Sequence, residues 1–244
     1  QDVTLWGPTH LMLIGGAGLS LVGQAVLATE ALRHQGLGEA EENGRAKMPS
    51  TIVALRRVGI VGGFLIGVST FQAEFDFGVP QYAQVFQPFL IALAAGVALV
   101  AGRIWIGRGG ALMAALFFLV MRGLIDVITG PAVFDEPFPV LPLYLGEAFL
   151  VELAALAFIR RPLTFGVVSG VLIGTVGFAA EYAWTNVAFK LPWQPDLLPE
   201  GVLFAVGGGV AGGTLGTLLA LGLRGQLPRP AVARTSLALA GALV

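Results

Sequence analysis

The sequence predicts an all-α, polytopic integral membrane bundle of about seven transmembrane helices, and three observations carry that expectation. Apolar runs of roughly 18 to 26 residues recur along the chain, long enough to cross about 30 Å of hydrocarbon at about 1.5 Å per residue. The mean hydropathy is +0.82, with 56% hydrophobic and 12% charged residues, a balance outside the range of soluble domains. Twelve of the 14 Lys and Arg residues fall at alternate boundaries between those runs. The runs are continuous rather than alternating polar and apolar, which selects helices over the strands of a membrane barrel.

The first span, 8–31, opens on Trp6, Gly7 and Pro8, with His10 one turn inside. Proline suits a first helical turn, where its missing N–H would be unpaired anyway. The second span, 58–75, carries Gly59, Gly63 and Gly67 and ends on Phe71, Glu74 and Phe75. The third, 84–102, opens on Phe86, Gln87 and Pro88. The fourth, 109–130, closes with Arg122 and Asp126, four apart on one helix face, where an internal ion pair is expected. The fifth, 139–159, opens on Pro142, Tyr144 and Glu147 and carries Glu152 deeper inside, which reads as a protonated, hydrogen-bonded acid or a proton relay. The sixth, 163–187, repeats Gly166, Gly170 and Gly174 and ends on Phe178, Glu181 and Tyr182. The seventh, 199–223, opens on Pro199 and Glu200 and carries Gly208, Gly212 and Gly216.

Glycines four residues apart let helix backbones approach closely, so these three series read as packing faces. The glycine-rich run 207–213 is not a phosphate loop, because it lies within a span and no lysine follows it. The shared proline openings of spans one, three, five and seven, and the shared endings of spans two and six, suggest three parallel helical hairpins after an unpaired first helix.

Arg33, Arg45, Lys47, Arg56, Arg57, Arg103, Arg108, Arg160, Arg161, Arg224, Arg229 and Arg234 all fall on one side of these spans. The positive-inside rule makes that side cytoplasmic, with the N-terminus outside, in a multi-pass cell-membrane protein. The opposite loops carry Lys190, Asp135, Glu136 and Asp196. The loop 34–50 reads as a solvated connection too short for a catalytic domain. Residues 1–230 are read as a single transmembrane domain, and 231–244 as a cytoplasmic tail or the start of a further helix. The start at Gln1 and the apolar stretch 236–244 fit a trimmed N-terminus and a truncated eighth span.

With no cysteine, the chain has no disulfide, no iron–sulfur ligation and no thiolate nucleophile. A net charge of −1 argues against nucleic acid as a partner and leaves the lipid bilayer and other membrane subunits. His10 and His34 are on opposite sides, which excludes paired-histidine haem ligation within the chain. Both lysines are in loops, so a retinal Schiff base has no candidate. No hydrolase triad and no ATP-binding motif can be assembled.

What remains is a convergence of acids near the outer boundary: Glu74, Asp76, Asp126, Glu147, Glu181 and Glu200, with His10 and the amide of Gln87. Ionisable groups inside a bilayer cost roughly 2.5 to 3.5 kcal/mol each on insertion scales, so they face the bundle interior and are paired or functional. One reading is a site for a divalent or transition-metal cation, with His10, Glu74, Asp126, Glu147 and Glu181 as ligands, in a transporter or membrane metalloenzyme component. The other is a non-catalytic scaffold or accessory subunit docking partners through the outer loops 134–139 and 190–195. Each residue has a plainer role: His10 as a cap, Glu74, Asp76 and Glu200 as solvated boundary acids, Trp184 and Trp193 as interfacial anchors. Ligand geometry separates the readings, since a metal needs three or more of these side chains within about 2 to 2.6 Å of one point.

Overall fold

The computed structural model describes residues 6–34, 51–78, 80, 82–128, 130, 141–188 and 193–227. Its elements are α1 (Pro8–His34), α2 (Thr51–Ser69), a 3₁₀ turn (Thr70–Gln72), α3 (Ala73–Asp76), α4 (Phe86–Trp105), α5 (Gly110–Val127), α6 (Leu145–Phe158), α7 (Pro162–Leu172), a π-helical turn (Ile173–Gly177), α8 (Phe178–Ala188), a second 3₁₀ turn (Pro195–Leu197) and α9 (Leu198–Leu223). Among the described residues there is no strand. Six helices are long and apolar enough to cross a membrane: Pro8–His34, Thr51–Asp76, Phe86–Trp105, Gly110–Val127, Pro162–Ala188 and Pro195–Leu223.

The expected fifth span differs. Its helix, α6, has 14 residues, about 21 Å at the usual rise and short of a bilayer core. Pro142 removes a donor and Tyr144 sits at φ 57°, a left-handed conformation that a helix cannot continue through. The chain from Leu141 to Tyr144 is irregular, and its polar backbone is bonded within the protein, as such a segment requires at membrane depth.

The centre of the bundle is α9, gripped between α4 and α7. Gly166 and Gly170 of α7 and Gly174 of the π turn face Gly213, Gly209 and Val206 of α9 so closely that a Cβ would strike backbone. Gly208, Gly212 and Gly216, on the next face of α9, lie against the carbonyls of Phe89, Leu93 and Val97 of α4. The glycine series of spans six and seven are thus the two walls of this sandwich. The series in span two is not: Gly67 meets nothing within 4 Å, and the close approach is at Gly62, against the Phe117 ring.

Arg33, Arg57, Arg103, Arg108, Arg160, Arg161 and Arg224 lie at the helix ends of one side of the bundle, whereas Arg122 lies toward the other, and several of the former bond there. Arg33 donates to the Leu223 carbonyl at 3.2 Å, Arg57 to the Trp105 carbonyl at 3.0 Å, and Arg224 to the Ile104 carbonyl. Each satisfies a carbonyl left open at a helix C-terminus. Arg103, expected in a loop, is buried in α4 and ion-paired at 2.7 Å with Glu152 of α6, which also accepts the Ala111 N–H at 3.0 Å. Glu152 is therefore a paired acid at the basic end rather than a solitary one in mid-membrane. Arg45, Lys47, Arg229, Arg234, Asp135, Glu136, Lys190 and most of the loops 34–50 and 131–140 lie outside the described residues.

Candidate functional site

At the opposite end, the break before α6 organises the acids. Leu143 and Tyr144 carry backbone N–H groups that no helix of their own can take up. Glu181 of α8 supplies the acceptors: Leu143 N–H donates to its carboxylate at 2.9 Å and Tyr144 N–H at 2.8 Å. Trp184, one turn further along α8, donates its indole N–H to the Leu141 carbonyl at 2.8 Å. Tyr144 is 0% exposed; its hydroxyl donates to Ser69 Oγ at 3.0 Å, and its ring meets Phe118 edge-on at 5.0 Å. A bulky residue at positive φ is uncommon and persists only where its surroundings over-determine it. Here the carboxylate, the hydroxyl bond and the ring contact do so.

Glu147, in the first turn of α6 and 1% exposed, lines one small cavity together with Glu181, close enough for the two carboxyls to interact. Gly177 in the π turn makes this possible, since a Cβ there would lie 3.0 Å from Glu147 Cγ. A second cluster sits on α3 and α5. Arg122 Nε lies 3.3 Å from Asp126 Oδ1, the ion pair expected from their spacing, and Arg122 Nη2 lies 3.7 Å from Asp76 Oδ2. Asp76 also accepts from Gln72 Nε2 at 2.8 Å. Asp76 is thus a buried, paired acid rather than a solvated boundary one.

Glu74 is buried in α3, His10 is partly buried in the first turn of α1, and Glu200 is exposed. Of the five residues proposed as metal ligands, Glu147 and Glu181 are brought face to face. Asp126 belongs to the Arg122 cluster. Among the described residues no group of three or more His, Cys, Asp or Glu could hold a metal ion.

Trp193 is 4% exposed, seated on Gly201, and donates to Gln87 Oε1 at 2.9 Å. It is an interior residue rather than an interfacial anchor, and it packs edge-on against Phe178 at 5.7 Å. Gln87, Glu147, Glu181, Thr185 and Trp193 line one small cavity between α4, α6 and α8. The sequence singled out Gln87 and Glu147 by their depth. The Trp193 bond, the Ser69–Tyr144 bond and the Glu181 cap have no signal in periodicity or spacing.

Comparison of the chain with family models, with curated proteins and with solved structures finds no match. The geometry of the site is therefore the basis for any functional reading.

Proposed function

We propose that this chain is a non-catalytic accessory subunit of a larger membrane complex. In this reading it crosses the membrane seven times, N-terminus outside and basic loops cytoplasmic, and meets a membrane-spanning helix of a partner subunit along α1. The observation that carries the reading is the packing of α1 itself. Of its 27 residues only Ala25 and Ala28 are buried. Gly16, Ser20, Gly23 and Leu27, spaced at three and four, form an exposed face away from those two alanines, and Gln24 is exposed at its edge, one turn before Ala28. Gly16 and Gly23 meet nothing within 4 Å. Small residues allow a second helix to approach closely, and a Gln side chain in hydrocarbon is stabilised by a hydrogen bond across a helix pair. The outer loops, the other docking surface expected from the sequence, lie largely outside the described residues.

The interior charges support the same reading. Arg103 with Glu152, Arg122 with Asp76 and Asp126, and Glu181 with the Tyr144 N–H join elements of this chain to one another. The metal-cation reading on His10, Glu74, Asp126, Glu147 and Glu181 has no comparable support.

The test is photocrosslinking in native membranes, from a benzophenone amino acid placed at position 16, 20 or 24, with position 203 on α9 as a lipid-facing control. The reading expects one crosslinked protein from the α1 positions, joined through a membrane-spanning peptide, and none from position 203. Crosslinks to lipid alone, or to a second copy of this chain, would sink it.

A further inference from the structure

The cavity at the α4, α6 and α8 junction is lined by two buried polar side chains whose bonding is incomplete. Glu147 Oε2 and Gln87 Nε2 are both buried without a hydrogen-bond partner, and both residues line the cavity. Their residues are 1% and 3% exposed. The orientation of the Gln87 amide follows from its neighbour. An indole N–H only donates, so Trp193 holds the amide oxygen at 2.9 Å and leaves the NH₂ group on the far side.

Buried polar groups are rarely left unbonded, and each such atom calls for an occupant. The donor and acceptor together define it. A bare cation is repelled by the Gln87 amide hydrogens, and an anion by the neighbouring carboxyls. A group that accepts from Gln87 and donates to Glu147 satisfies both. The cavity has room for about one water molecule.

Beside that position stand two carboxyls close enough to interact with each other. Both Glu181 oxygens already accept backbone N–H groups, at 2.9 and 3.2 Å from Leu143, so Glu181 is the member bonded as an anion. Two adjacent carboxylates in a low-dielectric site do not both remain ionised. One proton between them, on Glu147, removes the repulsion and gives Glu147 a bond to make. Among the described residues, the other charged and titratable groups around this pair are Tyr144 at the head of α6, Tyr182 on α8 in the same cavity, Asp76 on α3, and, through Asp76, Arg122 and Asp126 on α5.

We propose that this cavity is a proton-binding site: one water held between Gln87 and Glu147, and one exchangeable proton held by the Glu147–Glu181 pair. Exchange turns the Glu147 carboxyl so that its O–H faces the water: that O–H bond breaks as the water takes the proton, and the water returns one of its own to the same carboxyl, so charge and atoms balance.

The test is infrared difference spectroscopy on the full chain in lipid, exchanged from H₂O to D₂O. The wild type should show a protonated-carboxyl band that shifts on deuteration. Glu147→Gln should remove it, and Glu152→Gln, at the other end of the bundle, should leave it. Gln87→Met, which keeps side-chain length and removes the amide donor, should slow deuteration at least tenfold. Absence of the band in the wild type, its survival in Glu147→Gln, or an unchanged exchange rate in Gln87→Met overturns the proposal. So does loss of the band on adding Ca²⁺ at constant pH, which would make the ligand a metal ion. The wild-type measurement stands even where a variant fails to fold.

Discussion

Glu181 caps a helix that it does not belong to: its carboxylate on α8 accepts the Tyr144 N–H at 2.8 Å, at the residue just before α6. Tyr144 has φ 57° there, so the donor points away from any acceptor that a regular helix would offer. The acid and the strained residue explain each other. An irregular backbone within a bilayer is tolerated only where its polar groups are bonded inside the protein, and Glu181 and Trp184 provide those bonds.

Glu181→Gln removes the charge and one acceptor while keeping the shape. Hydrogen bonds to charged groups contribute roughly 1.5 to 3 kcal/mol each, and a loss of that order is expected in unfolding free energy. Glu200→Gln, at an exposed position, should change little. Thermal or denaturant unfolding in detergent reads the difference.

The α7–α9 contact gives a matched pair of neighbours. A Cβ at Gly209 would strike the Gly170 carbonyl, whereas Gly207 meets nothing within 4 Å. Gly209→Ala should destabilise the bundle by about 1 to 3 kcal/mol, the range for overpacking. Gly207→Ala should be neutral or slightly stabilising, because alanine is the better helix former. Equal effects at the two positions would contradict the packing.

Arg103, buried, and Glu152, partly buried, form an ion pair at 2.7 Å. Breaking such a pair by removing one partner costs about 3 to 5 kcal/mol, while replacing both with apolar residues is often neutral. Arg103→Met and Glu152→Leu should therefore each destabilise strongly, and the double variant should recover most of the loss. Additive effects in the cycle would show that the two side chains act independently.

The orientation read from charge is testable at two described, exposed positions. Arg108→Cys lies at the basic end and Asp196→Cys at the other, in a chain that has no cysteine of its own. A membrane-impermeant thiol reagent should label position 196 in intact cells and reach position 108 only after permeabilisation. The reverse pattern inverts the topology.

How far the sequence reached depends on which part of the problem is local. Apolar run length reads out the helices, and the spacing of Arg122 and Asp126 reads out their pair, because both are properties of one segment. The glycine series of spans six and seven were legible for the same reason. In span two the series misled, since which stripe faces a neighbour depends on helix rotation, and rotation placed Gly62 rather than Gly67 against a partner. Arg103 with Glu152 and Trp193 with Gln87 join segments 49 and 106 residues apart. Only the order of the helices in space brings them together, and periodicity carries no record of it. The irregular stretch 141–144 before α6 was hidden by composition: these residues are as apolar as a helix, and the break comes from Pro142 and the φ of Tyr144.

In the proposed assembly the interior charges hold this bundle together while the outward face of α1 holds a partner. The most direct measurement is the size of the particle extracted from native membranes in mild detergent, compared between the wild type and a variant carrying Gly16→Ile, Ser20→Leu and Gln24→Leu. All three positions are exposed, so unfolding of the variant should match the wild type. The wild type should migrate in detergent as a complex larger than the chain's own 25.3 kDa, and the variant as the single chain. A variant that keeps the full complex, or a wild type that is already a single chain, would contradict that assembly.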